Sequence, residues 1–257
     1  MFRHFHFPPL FAAAVLLVPV TSAAASEIKV LNANALTIAM KEIAADFTKE
    51  TGDQVSFVGV SPGLVEQRIK AGEVYDLVIT ATASAEGFEK DGRWRAGTRR
   101  PLARVGIGFA VREGGKVDLS TIESTRKALL DAKTITYSDS SGGGLSGTNA
   151  QKVLANLGLT DAVKAKTRLS GNLADGQALI AKGEIDLGLF NLSEIPRAAG
   201  VVRAGPVPAG VQVYIDYDSA VPVTNVAPGG ALALLKFLHR PAALPVWDKA
   251  GLEVVGE

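Results

Sequence analysis

The chain has no cysteine. No disulfide can brace it, no thiol can act as a nucleophile, and most zinc sites are excluded because they rest on thiolates. Histidine is almost as scarce. Of three, His4 and His6 lie at the N-terminus and only His239 remains in the body of the chain. A His-rich centre is therefore excluded, and neither a metal nor a cofactor is expected. An excess of one charge is also missing: with Arg3 set aside in the N-terminal segment, 26 basic residues face 26 acidic ones. Phosphate backbones call for a basic surface, so no nucleic-acid partner is expected. Apolar runs of membrane length are absent too. Leu10 to Val20 is too short to span a bilayer comfortably, and no other stretch comes near.

What is present begins with a leader. "MFRHFHFPP" carries the positive charge, "LFAAAVLLVPV" is the apolar segment, and "TSAAAS" places Ala23 and Ala25 at the −3 and −1 positions of a small-residue cleavage site. Residues 1–25 are read as a signal peptide cleaved near Ala25. The mature chain then starts at Ser26 and is exported, most simply to a bacterial periplasm. Without disulfides it must rest on its own core, and 47% hydrophobic residues suffice for that.

Strands and helices alternate after Ser26. "IKVLNA" reads as a strand, and "LTIAMKEIAADFTKETG" has apolar residues at helical spacing with Gly52 as its stop. "QVSFVGV" is a second strand. "SPGLVEQRIKAGE" opens on Ser61 as N-cap and Pro62 at the first helical position. "YDLVITA" is a third, buried strand. This order predicts a parallel sheet with right-handed crossovers. A second β/α unit lies between two long extended runs, "ARVGIGFAVRE" and "VQVYIDYDSAVPV". The expected fold is therefore α/β with two lobes joined by two hinge strands: lobe one over 26–103 with 213–257 returning to it, lobe two over 104–212. Open α/β sheets bind ligands beyond the carboxyl ends of their strands. The loops to watch are Asn32–Ala35, Gly59–Gly63, Thr80–Ser84, Ser138–Asn149 and Phe190–Glu194.

The Ser138–Asn149 stretch, "SDSSGGGLSGTN", lies between a predicted strand and a predicted helix. Gly142, Gly144 and Gly147 fit a dinucleotide pattern, but so glycine-rich a run matches by chance and no acidic residue follows at the required distance. A phosphate loop fails because Thr148 and Asn149 replace the Lys-Ser/Thr pair. Gly59-Val60-Ser61-Pro62-Gly63 fits the nucleophile elbow of hydrolases, yet Pro62 has no N–H to offer an oxyanion. Anion capture remains. Ser138, Ser140, Ser141, Ser146 and Thr148 bring hydroxyls, and the helix that follows brings a partial positive charge at its N-terminus. Ser61 and "NANAL" open two more helices in the facing lobe. Three helix starts then converge on one cleft.

"IKVLNANALTIAMKEIAADFTKETG", "SPGLVEQRIKAGEVYDLVITA" and "LIAKGEIDLGLFNLSEI" resemble, in order and spacing, the type II periplasmic solute-binding proteins and within them the molybdate-binding-like group. The resemblance spans essentially the whole mature chain. It implies the two-lobe type II fold with the ligand cleft between the lobes, a monomer, and an ABC-type membrane permease as partner. Molybdate binders in that group have Ser where Ala35 stands and usually Tyr where Asn191 stands, which counts against molybdate. "YSDSSGGGLSG" with "LSEI" is more similar to a branch associated with small organic acids, where citrate-like ligands are bound and trans- and cis-aconitate are interconverted. The expected ligand is a small anion, a di- or tricarboxylate, held by Asn32, Ala33, Asn34, Ser61, Thr82, Ser140, Ser141, Gly142, Ser146 and Asn191, with Arg104 as a carboxylate clamp. Arg68 is the other nearby cation. An isomerase in the same cleft needs a base. Glu194 and Asp139 are the foremost candidates, with Asp76 and Tyr137 behind them.

Overall fold

The computed structural model describes residue 1 and residues 26–141, 144–195 and 199–255. The expected leader with its expected cleavage site near Ala25, and Gly142, lie outside the described residues.

Local sequence explains the first elements. β1 (Glu27–Ala33) is buried from Val30 onward, as a strand covered on both faces must be. α1 (Thr37–Thr51) buries Ala39, Met40, Ile43, Ala44 and Phe47 along one face and stops at Gly52 with φ of 82°. Glycine takes that left-handed value without a Cβ clash. β2 (Gln54–Val60) leads into α2 (Pro62–Lys70), where the Ser61 hydroxyl oxygen accepts from Leu64 N–H and Pro62 sits in the first turn. β3 (Leu77–Ala81) is buried throughout and feeds α3 (Thr82–Lys90). β1 lies between β2 and β3 and is parallel to both.

β4 (Arg100–Arg112) joins two halves. After it come α4 (Ile122–Asp131), β5 (Ile135–Thr136), α5 (Leu145–Asn156), α6 (Thr160–Lys164), α7 (Leu173–Ala181), β6 (Leu187–Asn191), β7 (Val201–Pro206), β8 (Tyr214–Ala220), α8 (Gly229–Leu238), α9 (Leu244–Lys249) and β9 (Glu253–Val254). Up to Gly106, β4 pairs antiparallel with β8, which in turn pairs with β3. From Ile107 it pairs with β6 and β7 instead, and β6 is parallel to β5. The result is a two-lobe α/β molecule.

The cores change hands at the same point. Leu102, Ala103 and Val105 pack in a cluster with Phe47, Tyr217 and Trp247. Ile107, Phe109 and Val111 pack in another with Leu154, Leu189 and Val211. Between them, at Gly106, the Gln212 side chain lies along β4. Its Oε1 accepts from Ile107 N–H and its Nε2 donates to Ile107 C=O, both at 2.8 Å. A Cβ on Gly106 would come within 2.8 Å of that amide and push it aside.

Three features escaped the periodicity. β7 carries Arg203 and Gly205, which break its alternation. β9 has only two residues. Thr167 and Ser170 form isolated bridges to Ile135 and Ser138, extending the second lobe's sheet by an edge. His239 is structural: its ring nitrogens lie 2.8 Å from Leu235 C=O and 2.9 Å from Pro101 C=O.

Candidate functional site

β1 and β2 end side by side, with Ala33 opposite Val60. The turn Asn34–Leu36 follows the first, and Ser61 and Pro62 follow the second. A Cβ on Gly59 would lie 2.4 Å from Thr37 Oγ1 and 3.0 Å from Asn34 Oδ1. Glycine there lets the two turns touch. In the other lobe, Ser138 follows β5 and α5 folds back beneath it. A Cβ on Gly147 would meet the Ser138 carbonyl oxygen at 1.9 Å. The Ser138–Ser170 bridge delivers Gly171 and Asn172, and with them the start of α7, to the same place.

These turns enclose a cleft of about 320 Å³. Asn34, Ala35, Ser61 and Pro62 line one side. Ser138, Asp139, Ser141, Gly144, Leu145 and Ser146 line the other, with Gly171, Asn172, Leu173 and Glu194 completing it. A larger cavity of about 720 Å³ lies at the far pole of the second lobe, beside Lys133, Ile185 and Asp186. It sits at the amino ends of β5 and β6, the wrong ends for a ligand site in an open α/β sheet.

The hydrogen bonds already made decide what each wall residue has left to give. Ser61 Oγ accepts from Leu64 N–H at 3.4 Å, and Ser146 Oγ accepts from Asn191 N–H at 3.2 Å. Both serines keep their own O–H as a donor. Ser141 is the reverse case. Its N–H and O–H donate to the two Asp139 oxygens at 3.0 and 2.9 Å. That pair holds the Asp139 carboxyl below its usual value, the backbone bond first and the hydroxyl second. Asn172 caps α7 through Asp175 N–H and donates to the Asp175 carboxylate. Pro62 has no N–H and Leu64 N–H is taken by Ser61, which leaves Gly63 N–H at the start of α2; the first N–H groups of α5 and α7 have no acceptor within their own helices. Glu194 Oε2 accepts from Asn191 Nδ2 at 2.9 Å. Burial, with the Glu194 charge added, pushes the Tyr217 phenol well above its ordinary value.

Among the residues expected from sequence, Asn34, Ser61, Ser141, Ser146, Asp139 and Glu194 meet in this cleft. Asn32, Ala33 and Asn191 are buried at the strand ends and are not wall residues. Asn32 donates to Ala33 C=O and Thr37 Oγ1, which ties the turn together. Ser140 is half-buried and outside the lining. The Thr82 hydroxyl donates to Asp218 at 2.6 Å, within the first lobe. Gly142 lies outside the described residues. Arg104 does not line the cleft. Its Nε and Nη2 grip Glu253 Oε2 at 2.9 and 2.7 Å while its guanidinium stacks 4.2 Å above the Tyr214 ring. It clamps a carboxylate of its own chain. Arg68 is likewise held by Glu73 and Tyr75. Among the described residues, no lysine or arginine lines the cleft. Asp76 accepts from Lys29 N–H beside the sheet, and Tyr137 packs against the second lobe's core. The wall missed in sequence is Gly171–Leu173. Asn172 followed by Asp175 and an apolar run is a helix-start signal that could have found it.

Residues 28–253 match the family model described as "Bacterial extracellular solute-binding protein". An aconitate isomerase from a Pseudomonas species is 27% identical over 258 residues, covering 96% of this chain and 97% of its own. The molybdate-binding protein ModA of Azotobacter vinelandii is 29% identical over 235 residues, covering 88% of this chain and 89% of its own. The solved structure of the Azotobacter vinelandii periplasmic molybdate-binding protein superposes with a TM-score of 0.73 at 23% identity, over 90% of this chain and all 100% of that one.

Proposed function

Because the chain belongs to the bacterial extracellular solute-binding protein family, we propose that it captures a small organic anion, a di- or tricarboxylate, between its lobes and presents it to an ABC-type permease. In this reading it works as a periplasmic monomer freed of its leader. Lobe one is 26–103 with 213–257, and lobe two is 104–212. The observation that carries the reading is the donor set of the cleft. Ser61, Ser146, Asn172 and the starts of α2, α5 and α7 face one space from both lobes. Hydroxyls, amides and helix-start N–H groups suit carboxylate oxygens. A volume of about 320 Å³ equals on the order of ten waters at roughly 30 Å³ each, which is ample for a polycarboxylate.

One observation favours a second reading. Glu194 lines the cleft above the buried Tyr217, and an aconitate isomerase is among the relatives. As base, the Glu194 carboxylate would take an allylic proton from trans-aconitate. The charge would spread into the adjoining carboxylate, held by cleft donors, and the proton would return to the other end of the allyl unit to give cis-aconitate.

Proton NMR of trans-aconitate with catalytic amounts of the mature protein separates the readings. Broadened ligand resonances without conversion are expected. Appearance of cis-aconitate over an hour would favour the isomerase. Neither effect, together with no thermal shift across a carboxylate panel, would overturn the organic-acid reading.

A further inference from the structure

The cleft has two hydrogen-bond polarities, and Ser61, Ser146 and Asn172 lie on its donor side. Its acceptor side is centred on Asp139, a wall residue at the turn after β5. Composition suggests that this turn is rich in donors. The structure shows otherwise at its centre, because Ser141 directs both of its protons to Asp139. Each Asp139 oxygen still has a lone pair after accepting one bond, and Ser141 Oγ retains its own. The side chains of Asp139 and Ser141 can therefore accept from a ligand but not donate to it. It also carries a negative charge, with no lysine or arginine among the described lining residues to offset it.

A fully deprotonated oxyanion such as sulfate or molybdate has only acceptors. It can satisfy the helix starts and Ser61 and Ser146, but it places oxygen lone pairs against the Asp139 carboxylate. A ligand that combines carboxylates with its own O–H satisfies both walls. We infer that Asp139 is a specificity-determining residue, which selects a hydroxyl-bearing organic acid over both the matching acid without the hydroxyl and the tetrahedral oxyanions. The inference rests on the organic-acid reading above and narrows it.

The test is a matched pair of ligands measured by isothermal titration with the mature protein at neutral pH. Citrate and tricarballylate differ by one hydroxyl. The wild-type protein is expected to bind citrate more than about tenfold tighter, the scale of one hydrogen bond to a charged group, with sulfate and molybdate weaker still. In Asp139→Asn the amide oxygen can still accept Ser141 N–H while its NH₂ donates to Ser141 Oγ, which turns the serine proton toward the cleft. The wall changes from acceptor to donor. The citrate preference should collapse to within about twofold, and sulfate affinity should rise. Circular dichroism of Asp139→Asn guards against a variant that fails to fold, and a folded variant that keeps the citrate preference would overturn the role of Asp139. Equal affinity for citrate and tricarballylate in the wild type would overturn the role of Asp139 and leave the organic-acid reading standing. Binding of molybdate or sulfate alone, or of no acid at all, would overturn both.

Discussion

Ser61, Ser141 and Ser146 carry the same hydroxyl and differ in what it is already bonded to. Ser61 and Ser146 receive a backbone N–H on oxygen and keep their proton. Ser141 has given its proton to Asp139. Alanine at 61 or 146 should therefore weaken ligand binding by about 1–2 kcal/mol each, while alanine at 141 should cost less than half as much. Isothermal titration of the three variants checks this. Equal losses at all three positions would mean that the hydroxyls act as one undifferentiated donor patch. From the sequence the three serines are equivalent, because the direction of a hydroxyl proton depends on neighbours that the turn brings together.

Two glycines show how an element is tied to its place. Gly147 lies in the first turn of α5, where an added Cβ would collide with the Ser138 carbonyl oxygen at 1.9 Å. Gly87 lies inside α3 with nothing within 4 Å of the same position. Gly87→Ala should stabilise by about 0.5–1 kcal/mol, since alanine loses less backbone freedom on entering a helix. Gly147→Ala should destabilise by about 1–3 kcal/mol or more, because backbone cannot step aside as a flexible side chain can. At about 2–4 °C per kcal/mol for a chain of this size, thermal melts should move in opposite directions. A neutral Gly147→Ala would show that α5 is free to retreat from Ser138. The helix start at Ser61 and the helix stop at Gly52 were legible in the sequence because caps act within one turn. β7, β9 and the Thr167–Ser170 edge were not, because short strands are defined by a distant partner.

At the scale of the molecule, Arg203 crosses the seam between the lobes. It lies on β7 beside the second lobe's core, and its Nη2 donates to Ile195 C=O at 3.1 Å and to Ala250 C=O at 3.3 Å. Ala250 belongs to the first lobe's core, and Ile195 follows directly on Glu194 of the cleft wall. A Cβ on Gly251 would lie 2.8 Å from that Nη2, so the guanidinium rests on bare backbone. Burial lowers its pKa. Arg203→Met keeps the stem and removes both bonds. It should weaken ligand binding about three- to tenfold and enlarge the radius of gyration of the ligand-saturated protein in small-angle scattering. No change in either would mean that apolar contacts alone, such as Leu145 and Leu192 against the first lobe's core, join the lobes in this arrangement.

The sequence by itself determined what acts over a few residues: the alternating strands and helices, the stop at Gly52, the Ser61–Pro62 start, and an absence of cysteine and clustered histidine that excluded thiol and His-rich metal chemistry. Of the five loops it singled out, all but Thr80–Ser84 contribute residues to the cleft, because in α/β sheets strand direction fixes which ends face the ligand. Only the tertiary structure decided how the long and polar side chains were paired. Arg104 looked available for a ligand carboxylate until Glu253, 149 positions away, proved to hold it. Asn172 entered the cleft because an edge segment bridges Ser138. A cap or an apolar stripe is written in neighbouring residues, whereas the partner of a charge or of a hydroxyl proton is whatever the folded chain sets within about 3 Å of it.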